Sequence, residues 1–236
     1  MYQIKIKCTN ETNFKSNHKF VLRAITLAVD LIGLVNNKYV FLHIKFRFMK
    51  TEKEKMISGE YYNALDPVLA KERRKAKNLL HRLNVTEYRL TKKAKEILAE
   101  LIPNTGPGFY IEPPFHCDYG SNIICGENVY FNVNCVVLDC APVTIGSNVF
   151  IAPNVQIYTA SHPLDAELRK TLENALPVSI GDDCWIGGNT VICPGVTIGK
   201  GCVIGAGSVV TKNIPDNSLA VGNPAKVIQK LNQEMT

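Results

Sequence analysis

Between Ile180 and Ile214 the chain repeats every six residues. Ile180, Ile186, Ile192, Ile198, Ile204 and Val210 share one phase, and Cys184, Thr190, Val196, Cys202, Ser208 and Ile214 follow them at four places. Glycine comes directly after four of these aliphatics, at Gly181, Gly187, Gly199 and Gly205. A period of six matches neither the 3.6 of a helix nor the 2 of a plain strand. It matches a chain that turns a corner every six residues and sends one aliphatic inward from each face. Three such faces close one triangular coil. Glycine suits corners that need positive φ or close backbone packing. The expected fold is therefore mainly β, a parallel β-helix of hexapeptide repeats. A few buried strands joined by glycine turns would not hold one phase through six repeats.

The same phase runs upstream with interruptions. Tyr119, Cys125, Phe131 and Val137 form a first stretch, with Ile123, Val129 and Cys135 at the second inward position. The phase slips by two at Asp139–Pro142 and resumes at Ile145, Ile151 and Ile157. It breaks again over residues 158–179, which hold more than one hexapeptide. Surplus residues in a solenoid leave the coil as a surface loop, and such loops commonly carry binding. Pro215, Gly222 and Pro224 end the coil and leave Lys226–Leu231 as a short tail.

Ahead of the coil, residues 51–102 read as helices. Asp66 is an N-cap and Pro67 a first helical residue. Leu69, Ala76, Leu80 and Leu83 share one face. Thr86 is placed to cap a further helix with Leu90, Ala94, Ile97 and Leu101 on its apolar side, ended by Pro103. These helices are too few for a core of their own, so they are expected to close the first turn of the coil. Gly106-Pro107-Gly108 is the hinge. It divides a helical cap over 49–105 from the coil over 106–236.

Residues 1–48 carry no repeat. They hold eight Lys/Arg against two acids, which accounts for the whole net charge of +6; the remainder is balanced at 19 basic and 19 acidic residues. The body therefore has no electrostatic case for nucleic acid. The apolar run Phe20–Val35 is broken by Arg23 and Asp30, too short for a membrane span and a poor signal peptide. Met49 begins Met-Lys-Thr-Glu-Lys-Glu-Lys-Met, which reads like a fresh start. Residues 1–48 are expected to be a dispensable extension from a start site placed too early. Eight cysteines are present without a C-x-x-C pair, so a zinc ribbon or redox dithiol is not expected. Cys125, Cys135, Cys184 and Cys202 fall on inward positions as small apolar filler. Reduced thiols and a cytoplasmic setting follow.

Chemistry points to the break in the repeat. Of five histidines (His18, His43, His81, His116, His162), only His162 sits where the coil opens into a loop, within Thr159-Ala160-Ser161-His162-Pro163. An imidazole titrating near pKa ~6.5 can take a proton at neutral pH, so His162 is the candidate general base. Ser161 and Asp165 are too near in sequence to form a triad with it. No P-loop, G-x-S-x-G or H-E-x-x-H is present.

The segment from Met49 onward resembles the maltose and galactoside O-acetyltransferases of the hexapeptide acyltransferase superfamily. The resemblance rests on the block Glu52–Gly59, Tyr110-Ile111-Glu112-Pro113-Pro114, Asp118-Tyr119-Gly120 with Asn122-Ile123, and Thr159–Pro163. It also rests on Trp185-Ile186-Gly187-Gly188, Cys193–Gly199 and Gly222-Asn223-Pro224-Ala225-Lys226. The first block and Trp185–Gly188 lean towards the maltose enzymes. The resemblance implies a left-handed coil and a homotrimer with active sites between subunits. It implies acetyl-CoA as co-substrate, a small sugar acceptor, and neither metal nor membrane.

By the same resemblance His162 matches the catalytic histidine. Asp118, Tyr130 and Asn132 match acceptor-lining positions, and Gly188, Ala206, Thr211, Lys212 and Lys226 match acetyl-CoA contacts. Asp118 stands where the galactoside enzymes have Ser, Cys140 where they have Asp, and Lys226 where they have Arg. Acceptor choice is therefore expected to differ. The loop Leu168–Glu173 lacks a glycine found in many relatives.

The implied reaction is direct transfer. His162 takes the proton of a sugar hydroxyl as it attacks the thioester carbonyl, and the Gly188 N–H is the candidate oxyanion donor. The acceptor is expected to be a sugar such as maltose or glucose, with a galactoside or other hydroxyl compound as the alternative. Two other classes use the same coil. A metal hydratase would need three ligating histidines, and the coil offers only His116 and His162. A binding solenoid would have no use for the loop histidine.

Overall fold

The computed structural model describes residues 50–85 and 91–231. The expected extension over 1–48 lies outside the described residues, as do His18, His43, Thr86 and Leu90.

Among the described residues three helices precede the coil: α1 (Glu52–Ile57), α2 (Pro67–Asn84) and α3 (Lys92–Leu101). Asp66 caps α2 as expected, accepting from the N–H groups of Val68 (2.9 Å) and Leu69 (3.2 Å). The cap of α3 is Thr91, whose hydroxyl accepts from Ala94 N–H. Leu79, Leu80 and Leu83 of α2 and Ile97, Leu98 and Leu101 of α3 are buried in the same core as Ile111 and Phe115, so the helices do close the first turn. Asn84 completes the closure. Its Nδ2 donates to Phe115 O (2.9 Å) and its Oδ1 accepts from Phe115 N (3.0 Å), as a neighbouring strand would.

The coil is a parallel β-helix with three faces. The first stacks Asn104–Thr105, Ile123–Cys125, Val143–Ile145, Val178–Ile180 and Thr197–Ile198. The second stacks Tyr110–Ile111, Tyr130–Phe131, Phe150–Ile151, Trp185–Ile186, Val203–Ile204 and Ser218–Gly222, then the antiparallel strand Ala225–Lys230. The third stacks Phe115–Cys117, Cys135–Leu138, Gln156–Tyr158, Val191–Ile192 and Val209–Val210. The coil thus begins at Asn104, two residues before the hinge glycine. The tail is a strand, antiparallel to Ser218–Gly222.

Like residues stack on like. Phe131, Ile151, Ile186, Ile204 and Ala220 form one inward column through successive registers, each fully buried. Phe131 and each of the three isoleucines stabilise the fold by about 1.5–3 kcal/mol. Cys125, Cys135, Cys184 and Cys202 are buried filler.

One sequence expectation is corrected and a second is narrowed to one of its two alternatives. Tyr119 is not in the inward phase; Cys117 is, paired with Val137. The spacing of six from Tyr119 to Cys125 counts through surplus residues at a corner. The glycine after each aliphatic, moreover, does not take positive φ. A Cβ on Gly181 would lie 2.5 Å from Lys200 N, and on Gly187 2.6 Å from Ala206 N, so these glycines permit rungs to stack. The left-handed corner residue lies two places later. It is Asn128, Asn134, Asn148, Asn154, Asp183 and Asn189, with φ between 55° and 61°, a conformation that Asn and Asp tolerate.

Candidate active site

All the surplus residues of the coil leave at one corner, where the chain passes from the third face to the first. A turn from Ile180 to its partner Ile198 takes 18 residues, three hexapeptides. The turn from Cys125 to Ile145 takes 20, and that from Ile145 to Ile180 takes 35. The extra residues form the turn at Asp118–Gly120, the turn at Asp139–Ala141, and the excursion after Tyr158. These three lie one above another at that corner.

The corner has its own small core. Met56, Tyr62 and Leu69 from the helical cap pack with Tyr119, Cys140, Ala141 and Ala175. The excursion is folded back on this core. Ala160–Ser161 pairs antiparallel with Asn174–Ala175, and Tyr62 exchanges backbone hydrogen bonds with Glu173 at 2.9 and 3.0 Å. The Tyr62 hydroxyl also donates to Glu173 Oε2 (3.0 Å). Gly120 has φ +73°, and a Cβ there would sit 2.3 Å from Leu101 O, so the first turn is pressed against the end of α3. His162 follows Ser161 at the mouth of this ribbon and is exposed.

The side chains around Asp118 form a short polar chain. Arg73 Nη1 donates to the Tyr119 hydroxyl (2.7 Å), and its guanidinium lies 5.8 Å from the centre of that ring. Cys140 Sγ donates to Asp118 Oδ2 (3.5 Å). Burial raises the Asp118 carboxyl, opposed by the Cys140 bond and by Arg73. Burial pushes the Cys140 thiol up to about 12, which keeps it a thiol and not a nucleophilic thiolate. The phenols of Tyr62 and Tyr119 are also pushed far up by burial and stay neutral hydroxyls.

The residues singled out in the sequence fall into three places. Asp118 and His162 share the corner just described, and Thr211 and Lys212 lie at the same corner on a later rung. Asn132, Gly188 and Ala206 lie at a different corner, between the second and third faces. Tyr130 points outward from the second face, and Lys226 is on the antiparallel tail opposite Val221. One strand of the third face, about 15 Å by strand rise, separates the two corners within a chain.

The second corner offers open donors. Its five rungs carry Pro113, Val133, Pro153, Gly188 and Ala206 at the equivalent position. The prolines have no N–H, and Val133 donates to Asn132 Oδ1. Gly187 and Asn189 donate to Ile204 and Pro153. Among the described residues no acceptor meets the N–H of Gly188 or Ala206. Ala206, Lys212 and Lys226 are exposed, and nothing lies within 4 Å of a Cβ built on Gly207.

Sequence reasoning did not single out Arg73, Tyr62, Glu173 or Asp139. Only Asp139 left a trace, at the slip of the phase. Among the described residues no group of three or more His, Cys, Asp or Glu is placed to hold a metal ion, and no helix is long and apolar enough to cross a membrane.

Known proteins match both the helical cap and the coil. The family described as maltose acetyltransferase hexapeptide capping motif matches residues 55–106, and hexapeptide repeat of succinyl-transferase matches 177–212. A "Putative acetyltransferase" of Saccharomyces cerevisiae is 52% identical over 183 residues, 77% of this chain and 93% of that protein. The crystal structure of a maltose O-acetyltransferase from Clostridium difficile is 51% identical with a TM-score of 0.76, over 78% of this chain and 99% of that one. A galactoside acetyltransferase in complex with coenzyme A is 39% identical with a TM-score of 0.75, over 78% and 92% of the respective chains. A hexapeptide-repeat acetyltransferase of Vibrio cholerae complexed with acetyl coenzyme A is 38% identical with a TM-score of 0.72, over 78% and 100%.

Proposed function

Because the chain belongs to the maltose and galactoside O-acetyltransferase family of hexapeptide-repeat acetyltransferases, we propose that it moves an acetyl group from acetyl-CoA to a hydroxyl of a sugar such as maltose or glucose. The observation that carries this reading is the division of the candidate residues between two corners. One corner holds a base and a polar acceptor chain, and the other holds open N–H donors.

A threefold assembly brings the two corners together. If the second face of one chain lies against the first face of the next, the corner between those faces turns to the axis. The outer edges of the two faces then meet. One edge is the Asp118 and His162 corner, and the other is the Asn132, Gly188 and Ala206 corner of the neighbour. The second face is built for such a contact. Tyr110 stacks on Tyr130 with ring centres 5.8 Å apart. Phe150 and Trp185 continue the row at 56% and 55% exposure, too apolar to be left to water as a continuous row.

In the groove so formed, His162 accepts the proton of the acceptor hydroxyl as that oxygen attacks the thioester carbonyl. The Gly188 N–H receives the charge that develops on the carbonyl oxygen; collapse of the adduct then breaks the C–S bond, and the proton held by His162 passes to the departing CoA sulfur. Asp118, Tyr130 and Asn132 line the acceptor. The co-substrate fits the open strip Gly188–Ala206, with Thr211, Lys212 and Lys226 near its phosphates. Cys140 is a neutral thiol hydrogen-bonded to Asp118, which supports direct transfer without an acyl-enzyme. Free thiols throughout the described coil fit a reducing cytoplasm.

The test is an acceptor panel. Purified protein with acetyl-CoA is expected to acetylate maltose or glucose with one CoA released per product. Thioester hydrolysis without acetylation of any sugar would overturn the reading.

A further inference from the structure

Asp139 has no part in the chemistry above, yet its side chain is fully buried at the centre of the corner. Its Oδ1 accepts from the N–H groups of Asp118 (3.0 Å) and Tyr119 (2.8 Å), and its Oδ2 from that of Asn122 (3.3 Å). Its carbonyl accepts from Asn122 Nδ2 (2.7 Å). One carboxylate therefore gathers three backbone donors from the turn one rung away. The next rung is tied in the same manner. The buried Thr159 hydroxyl donates to Leu138 O (2.6 Å) and accepts from Ala141 N–H (2.9 Å). Thr159 lies three residues before His162. A column of two buried polar side chains thus links the turn that carries Asp118 to the segment that leads into His162.

We propose that Asp139 is a positioning residue for the acceptor, holding Asp118 and Tyr119 by their backbone at a fixed height relative to His162. The proposal rests on the acetyltransferase reading for its kinetic part only. A carboxylate suits the task because it is acceptor-only and can take several N–H groups at once. Backbone N–H groups bonded to a charged acceptor make stronger bonds than neutral pairs. The regular turn after Ile180 has no surplus residues at this corner to restrain.

Asp139→Asn and Asp139→Ala test the proposal, with trimer content and melting temperature measured alongside. Asn keeps one oxygen for Asp118 and Tyr119 but sets an NH2 group against the Asn122 N–H. The expected result is a rise of about tenfold in the acceptor KM for Asp139→Asn and a larger rise for Asp139→Ala. The KM for acetyl-CoA, whose contacts lie at other places, should stay within about twofold. Equal rises in both KM values, or no rise in either, would overturn the proposal. Hydrogen exchange without substrate separates its failure from that of the function. If wild-type protein acetylates no sugar, faster exchange in Asp139→Asn confined to residues 118–122 still supports the positioning role. Unchanged exchange there, or faster exchange throughout the coil, rejects it.

Discussion

Two stretches of one coil are built from the same repeat and differ in what they leave over. From Ile180 to Ile198 every residue of the turn is accounted for by three hexapeptides. From Cys125 to Ile180 the registers are kept, but the turns take 20 and 35 residues, and the surplus is expelled at a single corner. The regular stretch contains what stacking requires: an inward aliphatic, a glycine beneath the next rung, and a left-handed Asn, Asp or Gly. The irregular stretch holds the same elements plus a second core, a folded-back ribbon and His162. Departure from regularity at constant register marks the corner that carries Asp118 and His162, while the corner that carries Gly188 and Ala206 is built on the regular scaffold.

Substitutions in the two stretches should fail in different ways. The largest effect on turnover belongs to the irregular one. His162→Ala is expected to lower kcat by about 10²–10⁴-fold with trimer and acetyl-CoA binding retained, as loss of a general base does. His116, exposed on the third face, is the control, and His116→Ala should leave kcat nearly unchanged. Comparable losses in both would reassign the base.

In the regular stretch Ile186→Ala should cost about 2–5 kcal/mol in urea unfolding, because it opens a cavity in a fully buried column. The KM values of the folded fraction should not change. A large change in KM without loss of stability would mean that the column is not mere scaffold.

The buried carboxylate of the irregular stretch also predicts a pH effect. Burial, partly opposed by the backbone donors, raises Asp139 to about 6, against about 3.9 for an unfolded Asp. A raised folded value means that its favourable contribution is complete below the unfolded value. It is lost as pH rises through about 6. Wild-type protein should therefore lose about 2–3 kcal/mol between pH ~4 and ~7 relative to Asp139→Asn, measured by urea midpoints. Parallel pH profiles of the two proteins would contradict this.

A smaller effect is expected at the tail. Lys226→Ala should raise the KM for acetyl-CoA about tenfold, the loss of one charge-assisted phosphate contact, with kcat less affected. An unchanged KM would place the co-substrate elsewhere.

The coil was legible because its period survives in the sequence wherever the turns are regular. Tyr119 was misread because an interval of six across an insertion mimics the repeat. His162 was legible as a polar residue at a break. Arg73, Tyr62 and Glu173 left no local trace. Tyr62 and Glu173 are 111 residues apart, and they meet only because the cap packs against the corner. Nothing in a helical stretch says which of its charged residues will face a loop that folds back. The role of corner glycines was legible only in part, since close packing and positive φ both select glycine.

Mixed trimers test the proposed composite site most directly. His162→Ala disables one corner, and Ala206→Trp is designed to block the exposed strip at the other. Neither variant alone should turn over, but in neither does any side chain at the opposite corner change. After co-refolding in equal amounts, random assembly leaves about a quarter of the grooves with both corners intact, so about a quarter of wild-type activity should return. If each site were formed within one chain, every site in the mixture would carry one lesion, and activity no greater than that of the separate variants would contradict the account.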